Sequence, residues 1–404
     1  MSDTQPAAAP LLANKRIAIV GAGPAGLTLA RLLQMKGGTV KVFELDASAT
    51  ARDQGGELDL HEDSGQVAIR KAGLMDRFMQ VSRPEAQVSR VYDKHGAVHM
   101  DIGIADEKVT RPEIERRALR DLFLSSLAPD TVFWGHLLSS VERKPGSRFV
   151  LRFADGSTAE ADLLFGADGT WSKVRPLVTP IKPQYSGVTF IESRVSAPDT
   201  RFPEISRIVG AGTIMITSDN RAMMAQRNGS DHIRIYVILR VPESWARTSG
   251  IDFNNAAQAR AALLEPFSDW APPMTAMLLH SDDTFSPRPL YNVPVEQSWR
   301  SQPDVALLGD AAHVMPPFTG KGANYAMLDA VELAENLTSG RYSDVAAAIR
   351  AYDLNMLKRM RESVAETMES QEVMISPQAP KGILELFQRR IRRALEQRGQ
   401  ASAG

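Results

Sequence analysis

The glycine run Gly21-Ala-Gly23-Pro-Ala-Gly26 directly follows the apolar tetrad Ile17-Ala-Ile-Val20, and no other feature constrains the fold as tightly. A short apolar run of this kind reads as a buried parallel strand. Gly21 permits a sharp turn, Gly23 lets the backbone approach a pyrophosphate, and Gly26 lets the next helix close on the strand. That helix, residues 25–36, carries Leu27, Leu29, Ala30, Leu32 and Leu33 and stops at Gly37-Gly38. Its N-terminus offers free N–H groups and the positive end of a dipole to phosphate. Val40-Lys-Val-Phe43 reads as the second strand, and Glu44 at its end is placed to accept the hydroxyls of an adenosine ribose. Strand, turn, helix, strand and acid together specify a dinucleotide-binding unit far better than the glycine spacing alone.

A second motif decides which dinucleotide. Gly309-Asp310-Ala-Ala-His313 follows the apolar run Val305-Ala-Leu-Leu308 and precedes an apolar helix over 323–337. Asp310 can accept a ribityl hydroxyl, a group found in FAD and absent from NAD; taken alone it reads equally as a helix N-cap. The intervening loop, Met315-Pro-Pro317-Phe318-Thr-Gly320-Lys-Gly322, leads into the helix N-terminus and can bring backbone N–H donors beside a flavin ring. A third strand ends in Asp168-Gly169 and continues as Thr-Trp-Ser-Lys-Val-Arg175.

The three motifs, in this order, resemble the class A flavoprotein monooxygenases, the p-hydroxybenzoate hydroxylase-like group. The resemblance implies that Asp168-Gly169 serves both FAD and NADPH, with no separate NADPH domain. It also implies that an arginine early in the helical stretch 112–127, Arg116 by position, contacts the cofactor. Longer segments are similar to the Tet(X)-type tetracycline-inactivating monooxygenases: Gly55-Gly56-Glu-Leu-Asp59-Leu-His61, Arg111-Pro-Glu-Ile-Glu-Arg116, Ser172-Lys-Val-Arg175, Phe267-Ser-Asp-Trp270 and the stretch from Gly309 to Phe318. That likeness places the Gly55-Gly56 loop with Arg52 beside the isoalloxazine and counts Asp59 among the cofactor-binding residues. The chain departs from the pattern at Glu44-Leu45, where the family carries Glu-Arg. It departs again at Glu192, Thr213 and Arg234, where the family presents Gln, Arg and His to the polar edge of tetracycline. A site built for specific polar partners rejects mismatched ones. The altered edge therefore argues against tetracycline itself and for a related aromatic or polyketide-like small molecule. Met224, Phe318 and Met374 are further candidates for that pocket.

The implied reaction uses NADPH or NADH and O2 and inserts one oxygen atom through a flavin C4a-hydroperoxide. The cofactor carries that chemistry, so no obligatory acid or base is expected. Arg234 is the tentative exception, as a cation for a phenolate or enolate. Flavin halogenases carry a Trp-x-Trp-x-Ile-Pro signature that none of Trp134, Trp171, Trp245, Trp270 and Trp299 fits. A reductase of the same fold and a non-enzymatic flavin redox sensor are the alternatives.

Composition narrows the rest. The chain has 404 residues, 43% hydrophobic content and a net charge of −1, which removes any bulk electrostatic case for nucleic acid. Its lack of cysteine excludes redox-active disulfides, cysteinyl flavin attachment and thiolate metal sites. His95 and His99 flank a turn at Lys94-His-Gly96 and read as exposed, so no metal is expected. The first fourteen residues read as a disordered tail and not a signal peptide, and no apolar run reaches spanning length. These features predict a cytoplasmic protein without stable membrane insertion, a monomer or weak dimer.

The fold class expected is α/β: a Rossmann-like FAD-binding domain with an antiparallel β-sheet substrate domain and a C-terminal helix. The FAD-binding domain is expected to be discontinuous (1–83, 104–180 and 290–370). The substrate domain takes 84–103 and 181–289, with strands at 88–92, 98–102, 214–217, 222–225 and 232–239, and its sheet would roof the flavin. Residues 371–404 form the C-terminal helix and tail. There Ile383, Phe387, Ile391 and Leu395 recur every fourth residue beside a cluster of arginines. That pattern fits a helix packed on the body better than one attached to an anionic surface.

Overall fold

The computed structural model describes residues 9–102, 111–146, 148–294 and 298–389. They form two compact units, the first drawn from Met1–Ser82, Glu113–Gln184 and Tyr291–Ala365, the second from Arg83–Pro112, Tyr185–Leu290 and Glu366–Gly404.

The first unit is built on a five-stranded sheet in the order Val305–Leu307, Leu163–Gly166, Ile17–Val20, Val40–Phe43, Val132–Phe133. Every pairing is parallel, with Ile17 opposite both Val40 and Leu163. The three central strands are nearly all apolar because helices and loops cover both faces of such a sheet. The first strand sits in the middle. The chain leaves it towards Val40–Phe43 on one side and later returns to Leu163–Gly166 on the other. Its carboxyl end is thus a topological switch point, where ligands of open α/β sheets bind. Helix Pro24–Gln34 follows the glycine turn and packs against helix Lys321–Thr338. A three-stranded antiparallel sheet, Leu138–Lys144, Arg148–Phe153 and Thr158–Ala161, completes the unit.

The second unit centres on a seven-stranded sheet. Its order is Ser286–Asn292, Gln184–Ser196, His232–Arg240, Arg221–Asn228, Thr213–Ser218, Ser89–Tyr92, Val98–Ile102. The Asp219-Asn220 pair, both at positive φ, closes the tight hairpin between Thr213–Ser218 and Arg221–Asn228. Thr213–Ser218 runs parallel to Ser89–Tyr92, so the sheet is mixed and not wholly antiparallel. One face carries Ile191, Val195, Ile214, Ile216, Met223, Ala225, Ile233, Ile235 and Val237, all but inaccessible, in one core with Leu263, Phe267, Trp270 and Met277 from covering helices.

Two local expectations change. Residues 112–127 are not one helix: Glu113–Glu115 forms a ladder with Glu57–Asp59, and the helix starts at Arg116. Ile114, 0% exposed, lies opposite Leu58 in this ladder, and Glu113 beside it is buried too. The N-terminal stretch is also more than a tail. Pro10–Leu12 forms a short 3-10 turn, Leu12 is 2% exposed, and the Ala9 N–H donates to the Lys36 carbonyl. Residues before 9 lie outside the described ones. At the other end, residues 381–389 are helical with Ile383 and Leu386 buried, while Ile391 and Leu395 lie outside the described residues. Arg389 pairs with Glu369 at 2.9 Å. Among the described residues no helix is long and apolar enough to cross a membrane, and no His/Cys/Asp/Glu cluster suits a metal. His99 instead faces Asp93 across the turn at 2.8 Å.

Candidate FAD site and substrate face

Gly21 ends the central strand at φ +102°, with its N–H donating to the Phe43 carbonyl. A β-carbon there would collide with the Ala167 carbonyl of the adjacent strand end, and one at Gly26 would strike the Gly21 carbonyl. At Gly23 an added β-carbon meets no protein atom within 4 Å. Gly21 and Gly26 are therefore fixed by the protein's own packing, whereas Gly23 faces open space. That is the division expected if a phosphate approaches at Gly23. No side chain caps the helix at this end, so its first N–H groups remain available to an anion.

Glu44, 4% exposed, braces this turn. Its Oε2 accepts the Ala22 N–H at 2.5 Å and its Oε1 the Asp46 N–H at 3.0 Å. A carboxylate has about four acceptor positions, so capacity for ribose hydroxyls remains. Arg52 lies here as well: its Nε donates to Asp46 Oδ1 at 2.8 Å, and Arg120, stacked over Trp134, donates to Oδ2 at 3.0 Å. Burial pushes the Asp46 carboxyl up, but these two guanidinium groups outweigh it and hold the carboxyl below its ordinary range.

The Gly55-Gly56 loop lies against Arg116, whose Cδ would be 3.3 Å from a β-carbon at Gly55. Asp59 accepts from His61 Nε2 at 2.9 Å, and Gly320 sits so close that a β-carbon would come 2.8 Å from Asp59 Oδ1. The sequence reading missed the residue that ties these pieces together. Asn324, 1% exposed, accepts the N–H groups of His61 (2.8 Å) and Gly65 (3.2 Å) and donates to the carbonyls of Asp59 (2.8 Å) and Gly320 (3.0 Å). An amide in line with the apolar positions Met327 and Val331 of the same helix was the available signal, because Asn there is neutral to unfavourable unless it has a partner. Gly320 and Gly322 flank the start of helix Lys321–Thr338, which also lacks a side-chain cap. Pro317 is exposed, and Phe318 is buried within this unit.

The second and third motifs meet through Arg175, 3% exposed. Its guanidinium donates to the carbonyls of Thr170 (Nη1, 2.8 Å), Asp310 (Nη2, 2.8 Å) and Ala311 (Nε, 2.7 Å). Burial works against the Arg175 charge, and the nearby carboxylates of Asp168 and Asp310 work for it. Asp168 Oδ2 accepts from Lys173 and Val174, but its Oδ1 is buried without a partner, and burial pushes this carboxyl up. An orphaned buried acceptor beside the switch point fits a ligand hydroxyl. The Asp310 backbone is held while its side chain stays exposed. The Gly23 opening, the Asp168 oxygen and the presented Asp310 carboxylate all fit FAD: pyrophosphate at the glycine turn, adenosine at Glu44, ribityl chain at Asp310.

The substrate candidates of the second unit share one sheet face. Register places Glu192 opposite Tyr236 and Tyr236 opposite Met224; one row away, Arg234 stands opposite Gln226 and Gln226 opposite Thr213. This is the face opposite the apolar core. Arg234 Nη1 donates to Glu192 Oε1, and Arg288 approaches the other Glu192 oxygen at 3.4 Å. Tyr236, which the sequence reading passed over, stacks at a tilt with Phe190, ring centroids 5.5 Å apart. The hydroxyl of Thr217 donates to the Met374 carbonyl at 2.6 Å, bringing Met374 to the same face.

The family described as "FAD binding domain" matches residues 14–365. "Monooxygenase penA" of Penicillium thymicola is 32% identical over 372 residues, covering 80% of this chain and 84% of that protein. Klebsiella pneumoniae HpxO, solved with FAD and uric acid, superposes with a TM-score of 0.77 at 22% identity, covering 94% of this chain and 93% of that one. The tetracycline destructase Tet(51) superposes with a TM-score of 0.68 at 18% identity over 92% of this chain and 94% of that one. At those identities the two solved structures speak for the fold alone. The match along the chain and the geometry at the switch point agree: this protein belongs to the FAD binding domain family and is an FAD-dependent monooxygenase of class A.

Proposed function

We propose that the enzyme uses NADPH or NADH and O2 to insert one oxygen atom into a planar aromatic or polyketide-like molecule bearing a phenol or enol. The observation that carries this reading is the second face of the seven-stranded sheet. It mixes Phe190, Tyr236, Met215 and Met224 with one charged cluster, Glu192, Arg234 and Arg288. Small-molecule sites typically combine an apolar and aromatic lining with a few placed polar groups. Two guanidinium groups against one carboxylate leave a net positive charge, which suits the anionic oxygen of a phenolate or enolate. Glu192 orients Arg234 rather than leaving it a free cation. Glu192, Thr213 and Arg234 stand at the positions where the resemblance places the Gln, Arg and His of a tetracycline edge, so a different ring system is favoured. Uric acid in HpxO shows that a fold of this kind accommodates a small planar heterocycle.

FAD, once reduced by the nicotinamide, supplies the oxygen-activating chemistry. The chain's own residues bind and orient: Glu44 and the glycine turn hold the adenosine and phosphate end, Asp168 and Asp310 take ribose and ribityl hydroxyls, and the Pro316–Gly322 backbone directs N–H groups at developing negative charge.

The test is a panel of hydroxylated aromatic heterocycles and polyketide enols, tetracycline included, incubated with FAD-loaded protein and NADPH under 18O2. A compound that accelerates NADPH oxidation and gains one labelled oxygen supports the reading. Acceleration with gain of hydrogen and no label would mean a reductase. NADPH oxidation that no compound accelerates would mean a redox sensor.

A further inference from the structure

We infer that Asp329 is a positioning residue for the cofactor, acting through the Gly309 peptide to aim Asp310. The inference rests on the FAD site and is independent of which substrate the enzyme takes. Asp329 lies on helix Lys321–Thr338 at 0% exposure, an expensive place for a carboxylate unless fully partnered. Its Oδ2 accepts the Gly309 N–H at 2.9 Å and His313 Nε2 at 2.6 Å; its Oδ1 accepts Arg359 Nη2 at 2.6 Å. Arg359 is anchored in turn by Glu332 at 2.5 Å and lies over the Tyr325 ring.

These bonds form a closed ring around one residue. The Gly309 N–H is held by Asp329, and the Gly309 carbonyl accepts the N–H groups of Ala312 and His313, each at 2.8 Å. The His313 side chain then returns to Asp329. Gly309 sits at φ +57°, a conformation that L side chains rarely adopt, and a β-carbon there would come 2.8 Å from Ala326 Cβ. The residue is thus gripped at both its polar groups in an unusual conformation, directly before Asp310.

On the other side of Asp310, Arg175 holds its carbonyl. Asp310 itself is exposed, and its carboxylate accepts no hydrogen bond from the described residues. Backbone clamped on both sides with side chain presented is the arrangement expected of a preorganised ligand contact, where accuracy depends on the supporting shell. Apolar residues already join helix Lys321–Thr338 to helix Pro24–Gln34. The buried charge is spent on orientation. Asp329 is the one ligand that both Gly309 and His313 share, so its charge sets the peptide plane ahead of Asp310.

The test compares Asp329→Asn with the unchanged chain, both prepared as holoprotein and then stripped of flavin. Three quantities are read: FAD dissociation constant by flavin fluorescence, visible circular dichroism of the bound flavin, and thermal unfolding of the apoprotein. Asparagine keeps the shape but cannot accept from Gly309, His313 and Arg359 together. The expected result is FAD affinity weakened about tenfold or more, as for loss of a charge-assisted bond, with an altered flavin dichroism band and an apoprotein that still unfolds cooperatively. Wild-type affinity with an unchanged band would overturn the inference. So would an affinity loss restored in full by stabilising the apoprotein with an osmolyte. If Asp329→Asn does not fold, His313→Gln carries the same test, because it loosens Asp329 without removing the buried charge. A severalfold affinity loss with a changed band supports the inference, and no change in either refutes it.

Discussion

The Arg175 side chain and the Asp310 backbone are joined by a single hydrogen bond, Nη2 to carbonyl, 2.8 Å long and part-buried. It links two motifs that stand far apart in the sequence but at neighbouring strand ends in the sheet. Two further bonds, to Thr170 and Ala311, make the guanidinium a three-way clasp. A lysine has no planar fork with which to reach three carbonyls at once. Arg175→Lys should therefore cost about 3 kcal/mol of folding stability, from carbonyls left unpaired in the interior. Urea unfolding of the apoprotein, with the slope held constant, checks this.

Gly21 and Gly23 should part company. Gly21→Ala places a methyl against the Ala167 carbonyl and should prevent recovery of folded, yellow protein. Gly23→Ala meets nothing in the protein, so the apoprotein should melt as before. Its FAD affinity should fall by about tenfold or more, since the methyl occupies the space a pyrophosphate needs. Differential scanning calorimetry with and without added FAD separates the two. Equal apoprotein destabilisation by both changes would contradict this picture of the turn.

Glu192 and Arg234 should behave as one unit. Either Glu192→Gln or Arg234→Gln strands a partly buried charge, while the double change removes both. A double-mutant cycle on kcat/KM should give a coupling of about 1–3 kcal/mol, with FAD affinity untouched. Additive effects would show that the pair does not act together on substrate.

Asp353 gives a pH signature. Burial pushes its carboxyl up to about 6, against partial compensation by Ser301 and Trp299. A carboxyl whose folded pKa lies above its unfolded value stabilises the fold below the unfolded value and loses that contribution as pH rises through the folded one. The loss therefore falls between about pH 4 and pH 6. It amounts to about 3 kcal/mol at roughly 1.4 kcal/mol per unit. Asp353→Asn should match the native chain near pH 4 and exceed it in stability at pH 7 and above. Chemical denaturation at both pH values tests the sign.

The sequence by itself determined the engine of this protein. Ile17–Val20 with Gly21, and Val305-Ala-Leu-Leu308 with Gly309-Asp310, are local patterns whose chemistry depends on near neighbours in the chain, and a turn that only glycine fits can be read from a few residues. The hairpin at Asp219-Asn220 was legible for the same reason. Only the tertiary structure decided how those pieces are held. Arg175, Asn324 and Asp329 each bond to residues distant in sequence, and a polar side chain carries no mark of its partner until the chain has folded. Register did the same for the substrate face. The family resemblance marked Glu192 and Arg234 as pocket candidates, but only the pairing of Gln184–Ser196 with His232–Arg240 brought them together and set Tyr236 between Glu192 and Met224. A shift of one residue would have turned all of them to the opposite face.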